Sequence, residues 1–164
     1  MYNWMIYIHV LAAFVFLIAH GASSIVSLRL RKQRDPALAR AWLELYADHA
    51  VYAALNGSLL VLLLSGIIGG FIGHWWGEGW IWLSLLLLIG IIVAMFAIGS
   101  KYYTRIRKAL GLPWFDRGKV QPPGEPASAE EIDTLLANAP AMSMAVIGFG
   151  GIALILWLMM FKPF

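Results

Sequence analysis

Hydrophobic residues form four long runs in this chain, separated by polar segments. The runs cover residues 4–28, 51–72, 80–100 and 142–161. Each has about 20 residues or more, and a helix of that length spans the roughly 30 Å hydrocarbon layer of a bilayer. The runs are continuous and lack the alternation of membrane-barrel strands. The pattern therefore predicts an all-α bundle of four membrane-spanning helices in a single integral membrane domain.

Basic residues are concentrated at one end of the predicted bundle. Eleven of the twelve lysines and arginines lie in the loops 29–50 and 101–141, and the connection His74–Gly79 has none. Loops rich in lysine and arginine usually remain in the cytoplasm. We therefore expect a multi-pass protein of the bacterial cytoplasmic (inner) membrane, with both termini on the non-cytoplasmic side. The net charge of +3 follows from this topology and does not indicate nucleic-acid binding.

Local signals predict that two helices extend beyond the hydrocarbon layer. Asp35 suits an N-cap and Pro36 suits the first helical position, so the second helix is expected to begin before its apolar run. The third helix is expected to continue to Gly111, a residue type that commonly ends helices. The proline- and glycine-rich stretch 111–127 predicts a flexible or extended loop. A capping box at residues 128–131 predicts a short helix before the last span.

Composition supports a membrane protein and excludes several kinds of chemistry. The chain is 61% hydrophobic and 13% charged, whereas soluble domains are about half apolar and about a quarter charged. It contains no cysteine, which excludes disulfide bonds, iron–sulfur clusters, covalently attached haem and thiol catalysis. Little of the chain lies outside the spans, so a separate soluble catalytic domain is not expected.

Small residues recur at three- or four-residue spacing in the predicted spans and the adjoining connection. Such pairs let helix backbones approach closely within a membrane. They are Gly66/Gly70, Gly69/Gly73, Gly73/Gly77, Gly90/Ala94 and Gly148 with Gly151. The spacing favours tight packing between helices, although glycine is also common in membrane helices generally.

The histidines lie inside or at the rim of apolar runs, where ionisable side chains are costly. They are His9, His20, His49 and His74. His20 lies nine residues before Arg29, and His49 lies nine residues after Arg40, so depth counted from these charges makes the two histidines level. Depth counted from the uncharged runs instead places His49 near the membrane edge, several ångströms from His20. The sequence does not decide between these two estimates.

Polar residues accompany the histidines along two helix faces. His9 and His20 project from one face of the first helix, because eleven residues make about three turns. On the second helix, His49, Tyr52 and Asn56 form a stripe at spacings of three and four residues. We expect the two stripes to face each other inside the bundle.

Three interpretations of His20 and His49 remain open. As neutral imidazoles on two helices they are predicted to clamp the iron of haem b as axial ligands, since helical bundles build cofactor sites from facing side chains. Together with Asp48 they are also candidate ligands for zinc or copper. Alternatively, they form polar contacts between helices and bind no cofactor.

Short motifs along most of the chain resemble a known family. They are Tyr7-Ile8-His9-Val10-Leu11-Ala12-Ala13, the step Ala47-Asp48, Trp80, and Leu158-Met159-Met160-Phe161-Lys162-Pro163. This layout resembles an uncharacterised family of bacterial four-span predicted integral membrane proteins. More remotely it is similar to the HemJ-type protoporphyrinogen oxidases and the copper-resistance CopD-like membrane proteins. The HemJ-type similarity implies haem b and implicates His9 by position, but Trp82-Leu83-Ser84 replace an expected lysine, which disfavours the oxidase activity.

Two functional classes follow from these patterns. The first is an integral membrane protein that binds haem b for electron transfer or a membrane redox step, with His20 and His49 as the axial pair and His9 as a competing ligand. The second is a non-catalytic accessory or structural subunit. Its glycine-rich helix faces would pack against a larger membrane protein complex or form a homo-oligomer. No catalytic residue is identified, and the lipid bilayer is the surrounding partner in both classes.

Overall fold

The computed structural model describes residues 1–116 and 119–164, and it confirms the all-α fold class. The elements are α1 (Tyr2–Lys32), α2 (Pro36–Tyr46), α3 (His49–Ile72), α4 (Gly79–Ala109), β1 (Trp114–Asp116), β2 (Lys119–Gln121), α5 (Ala129–Ala137), α6 (Ala141–Ala145) and α7 (Gly151–Phe161). A 3₁₀ turn (Trp75–Gly77) precedes α4, and a π turn (Val146–Gly150) joins α6 to α7. We call α6, the π turn and α7 together the last span.

Four helical segments are long and apolar enough to cross a membrane. They are α1, α3, α4 and the segment Ala129–Phe161, which contains the last span. α1 and α4 extend beyond their apolar runs because each continues through its basic residues. The architecture is that of a multi-pass integral membrane protein.

α1 has neighbours on two sides. It runs antiparallel to α3 and packs along it, while the last span packs against both α1 and α4. Away from the α3–α4 connection, where Gly70 lies against Ile81 and Trp76, α3 is at an edge of the bundle. Within the described residues, one side of α3 therefore has no neighbouring helix.

The best-packed part of the molecule is the end that carries the basic residues. We call it the basic cap; it consists of α2, the β-hairpin, α5 and the C-terminal turns of α1 and α4. Its hydrophobic core contains Val26, Leu30, Ala39, Leu43, Ile106, Ala109, Leu110, Leu112, Ile132 and Leu136. Burial of one leucine or isoleucine side chain contributes about 1.5–3 kcal/mol. The cap is therefore a folded layer, not a set of loose connections.

Three predicted helix boundaries are confirmed by local contacts. The Asp35 carboxylate accepts a hydrogen bond from the Ala37 amide at 2.9 Å at the start of α2. The Ser128 hydroxyl accepts one from the Glu131 amide at 3.3 Å at the start of α5. Gly111, just beyond α4, has a φ of +66°, a conformation that glycine adopts without steric cost.

The helix predicted to run from Asp35 through the second span is interrupted at Ala47. There α2 ends, and the Asp48 carboxylate accepts hydrogen bonds from the Ala50 and Val51 amides as the N-cap of α3. An aspartate side chain competes with the backbone for nearby amides, which favours a helix start over a helix interior. Asp48, a candidate metal ligand in the sequence, is therefore the N-cap residue of α3.

An antiparallel hairpin occupies part of the stretch predicted to be flexible or extended. β1 pairs with β2 in a register that places Trp114 opposite Gln121, so part of this stretch is a hairpin where the sequence predicted a loop. Further along, the Ala127 amide donates to the Ala109 carbonyl at 2.8 Å. This bond returns the chain to the end of α4 before α5 begins.

Both ends of the chain lie opposite the basic cap, beside the α3–α4 connection. The Tyr2 and Trp75 rings pack edge to face, 5.6 Å apart. The Phe164 carbonyl accepts a hydrogen bond from the Trp80 amide at 3.1 Å. The Lys162 ammonium lies 4.3 Å from the centre of the Trp75 ring. Residues 2 and 164 therefore share one end of the bundle.

Candidate functional site

His20 is buried where α1 faces the last span, with 7% of its surface exposed. Its imidazole stacks on the Phe16 ring at 5.7 Å and meets the Phe149 ring edge to face at 5.0 Å. The Nε2 atom is buried and has no hydrogen-bond partner among the described residues. Buried polar atoms are usually hydrogen-bonded, so His20 is the leading candidate for a functional side chain.

A glycine makes room for this imidazole. His20 Nε2 lies so near the position of a Cβ atom on residue 148 that any side chain larger than that of Gly148 would force a shift. Gly148 lies in the middle of the π turn Val146–Gly150, and such turns are frequent at functional positions in helices. His20 and Gly148 therefore form a close-fitting pair between α1 and the last span.

His9 contacts a different helix. Its Nδ1 atom lies 3.0 Å from the Ser65 hydroxyl on α3. That hydroxyl donates its own hydrogen to the Val61 carbonyl at 2.6 Å, so it accepts a hydrogen bond from a protonated Nδ1 of His9. Gly66 lies against the same ring. His9 is therefore a polar link between α1 and α3.

The polar stripe of α3 faces outward, and the expectation that it faces the stripe of α1 is wrong. His49 and Asn56 are exposed, and Tyr52 is 67% exposed. α3 instead buries a set of small residues: Ser58, Ser65, Gly69 and Gly70. Small side chains allow α3 to approach α1 closely, which leaves the larger polar residues on the opposite side.

His20 and His49 are separated in depth as well as in direction. His9 faces Ser65 across antiparallel helices, so His20, eleven residues further along α1, is level with about residue 54 of α3. His49 lies roughly 8 Å nearer to the basic cap, at about 1.5 Å per residue. The structure does not bring the two histidines together, and it agrees with the depth counted from the uncharged runs.

Metal-ligand groups are not assembled elsewhere in the described part of the chain. Residues 1–116 and 119–164 contain no group of three or more histidine and carboxylate side chains placed to hold a metal ion. His74 is exposed in the α3–α4 connection, where its φ of +56° places it in the left-handed region. Each histidine thus has surroundings of its own.

The outer face of α3 carries a polar residue inside the span. Asn56 lies seven residues after His49, the first residue of α3, and so roughly 10 Å along the helix. Its amide nitrogen donates to the Tyr52 carbonyl at 3.0 Å, while its amide oxygen remains available as an acceptor. At the adjacent Gly57, no atom lies within 4 Å of the position that a Cβ would take. The exposed face continues with Leu60, Leu64 and Ile68.

No protein-family model, curated protein or solved structure matches the chain. Its function is therefore inferred from the placement of its own residues.

Proposed function

We propose that this protein is a non-catalytic accessory subunit that packs against a larger membrane protein complex through the outer face of α3. The observation that carries the proposal is the exposed Asn56, which lies within the span beside Gly57. A carboxamide that faces lipid loses the hydrogen bonds it makes in water, at a cost of roughly 1–3 kcal/mol. A helix of a partner protein can supply those hydrogen bonds.

The surroundings of Asn56 suit such a partner helix. Gly57 leaves space for another backbone to approach, because no neighbouring atom lies within 4 Å of the position that a Cβ would take. Leu60, Leu64 and Ile68 are about half exposed and offer the apolar contacts that accompany a polar bond between helices. The face therefore combines a hydrogen-bonding group, a small residue and apolar side chains on the unpartnered side of α3.

The two histidines within the spans also support a structural role. His9 is hydrogen-bonded to Ser65, and His20 fills the space left by Gly148. Each imidazole joins α1 to a neighbouring helix. The hydrogen bond to Ser65 accounts for the polar group of His9, whereas His20 Nε2 has no partner among the described residues.

The proposal is tested by purifying the tagged protein from its own membranes in a mild detergent. We expect the wild type to be recovered with a larger membrane subunit. Asn56→Leu should lower that recovery by about threefold, because one hydrogen bond between membrane helices contributes about 0.6 kcal/mol on average. Asn56→Gln keeps the carboxamide and should retain the partner. Gly57→Leu should remove the partner by filling the open space.

Gly90→Leu is the matched control, because Gly90 is an exposed glycine on α4 that also has no atom within 4 Å of a Cβ position. It should leave the recovery unchanged. A wild-type protein recovered as a stable monomer would contradict the proposal. If the protein is recovered only as a complex of identical chains, the partner at the face of α3 is a second copy of this chain and not a larger subunit.

A second candidate function is the binding of haem b for electron transfer or a membrane redox step, favoured by the unpartnered Nε2 of His20. Because His20 Nε2 lies close against Gly148, His20 would hold such a group only if the last span moved away from α1. An absorption spectrum after haem-sufficient expression tests this candidate. Absence of a Soret band contradicts it. A band abolished by His20→Ala supports it, and a band lost only in His9→Ala or His49→Ala would assign another ligand.

A further inference from the structure

Three basic side chains form a stripe on the C-terminal part of α4. Lys101, Arg105 and Lys108 are spaced by four and three residues. At about 100° per residue, they fall within roughly 60° of one another around the helix. All three are exposed. The stripe therefore presents its cations to the surroundings of the helix and not to the core of the basic cap.

The stripe begins at the depth where α1 also becomes basic. The Tyr103 hydroxyl donates a hydrogen bond to the Ser27 hydroxyl at 2.8 Å, so these residues lie at similar depth on α4 and α1. Arg29 follows Ser27 by two positions on α1. Lys101 and Arg105 each lie two positions from Tyr103 on α4. A depth at which basic residues begin on two neighbouring helices is expected where the hydrocarbon layer meets the phospholipid headgroups.

On its membrane side the stripe continues into small residues. Gly90, Ala94 and Ala97 precede Lys101 at spacings that place them on the same helix face. Gly90 and Ala97 are exposed. An acyl chain can lie along this narrow surface while its headgroup reaches the cations. The small residues leave room for the acyl chain, and the cations attract the charged headgroup.

We propose that this face of α4 binds an anionic phospholipid, with its phosphate between Lys101 and Arg105. The charge of the stripe complements a phosphate, and the face is continuous with the bilayer, which favours a membrane lipid over a soluble anion. Arg105 and Lys108 border a cleft together with Glu125 and Glu131, and these carboxylates weaken the attraction of an anion to the part of the stripe beside the cleft. Lys101 lies outside this cleft, and Arg105 is the next cation along the stripe. These two residues are nearest to the bilayer and are therefore the main binding residues.

The test compares lipid retention by the full chain in neutral detergent micelles. Phosphatidylglycerol or phosphatidylcholine with identical acyl chains is added, and the bound lipid is counted by native mass spectrometry. The wild type should retain phosphatidylglycerol preferentially. Replacement of Lys101 and Arg105 by glutamine should lower that retention by roughly 25-fold, or about fivefold for each cation removed. The charge-preserving exchange Lys101→Arg with Arg105→Lys should retain the lipid.

Lys119→Gln is the control, because Lys119 is an exposed cation of the same end on the hairpin. Equal retention of both lipids by the wild type would overturn the proposal, as would an equal loss with Lys119→Gln. Displacement of phosphatidylglycerol by millimolar glycerol phosphate would also overturn it, by indicating a soluble ligand. The partner face of α3 and this face of α4 share no residue, so either proposal can fail alone.

Discussion

At the scale of single residues, glycines decide where the histidines of this protein can lie. Gly148 leaves the space that the His20 ring occupies, and Gly66 lies against the His9 ring. A methyl group in either place would press on an imidazole held between two helices. Because packed interiors tolerate added volume poorly, these pairs couple the helices more specifically than apolar contacts do.

Gly148→Ala is expected to destabilise the protein by about 1–3 kcal/mol, because the new Cβ overlaps His20 Nε2. The double variant His20→Ala/Gly148→Ala should recover much of this loss. Thermal unfolding in detergent measures both. Gly150→Ala is the control, since no atom lies within 4 Å of its Cβ position. Equal effects of the two alanine substitutions would contradict the close fit.

The His9–Ser65 hydrogen bond should contribute an interaction energy of about 0.6 kcal/mol, the average for polar bonds between membrane helices. A double-mutant cycle with His9→Ala and Ser65→Ala measures it from unfolding free energies. Strictly additive effects would indicate that the bond does not link α1 to α3.

At the scale of elements, the side chain of Arg107 connects several parts of the basic cap. Arg107 on α4 donates hydrogen bonds to the Pro113 carbonyl at 2.7 Å and to the Leu43 carbonyl at 3.2 Å. It therefore ties α4 both to α2 and to the segment before β1. These contacts hold Pro113, at the start of a stretch rich in proline and glycine, against the cap.

Arg107→Met is expected to loosen the cap, because a hydrogen bond from a charged group contributes about 1.5–3 kcal/mol. Limited proteolysis should then cut the stretch 111–127 faster than in the wild type. Arg31→Met removes an exposed arginine of the same end and should leave the cleavage rate unchanged. The same rate in both variants would contradict the role given to Arg107.

The cap should also weaken at high pH. Burial raises the pKa of the Tyr46 phenol above its ordinary value of 10.0, so the folded state favours the neutral form. This contribution is complete below about pH 10 and decreases as the pH rises through the raised pKa. Tyr46→Phe should therefore show a smaller loss of stability above pH 10 when unfolding is followed as a function of pH. An unchanged slope would contradict the burial of this phenol.

Helix boundaries could be predicted from the sequence, whereas the faces that helices present to one another could not. Asp35, Gly111 and Ser128 have local roles that depend on neighbours in the chain, and all three roles are confirmed. The orientation of α3 was predicted wrongly because the span is apolar nearly all round and has little amphipathic signal. The small residues Ser58, Ser65 and Gly69, spaced by seven and four, were the available signal for its packed side.

At the scale of the whole molecule, α1 connects two halves that are otherwise in limited contact. α3 packs along one side of α1, and the last span with α4 lies on another. Depth between helices is fixed by long-range contacts such as His9 with Ser65 and Tyr103 with Ser27. No local pattern contains that information, so the sequence alone could not decide whether His20 and His49 were level.

The same arrangement leaves two different outer faces. The face of α3 combines Asn56 with apolar residues such as Leu60, which is 56% exposed. α4 exposes apolar residues such as Phe96, which is 74% exposed. Within the hydrocarbon layer, a polar side chain needs a protein partner to form hydrogen bonds, whereas an apolar side chain can contact lipid instead. We therefore expect protein beside α3 and lipid beside Phe96.

Site-specific photocrosslinking in native membranes tests this central claim most directly. A photoreactive amino acid replaces Leu60 in one variant and Phe96 in another, and the adducts are compared. Position 60 should yield a protein adduct that disappears when Asn56→Leu is added, and position 96 should yield lipid adducts only. Lipid adducts alone at position 60, or the same protein adduct at both positions, would contradict the assignment of the α3 face to a partner subunit.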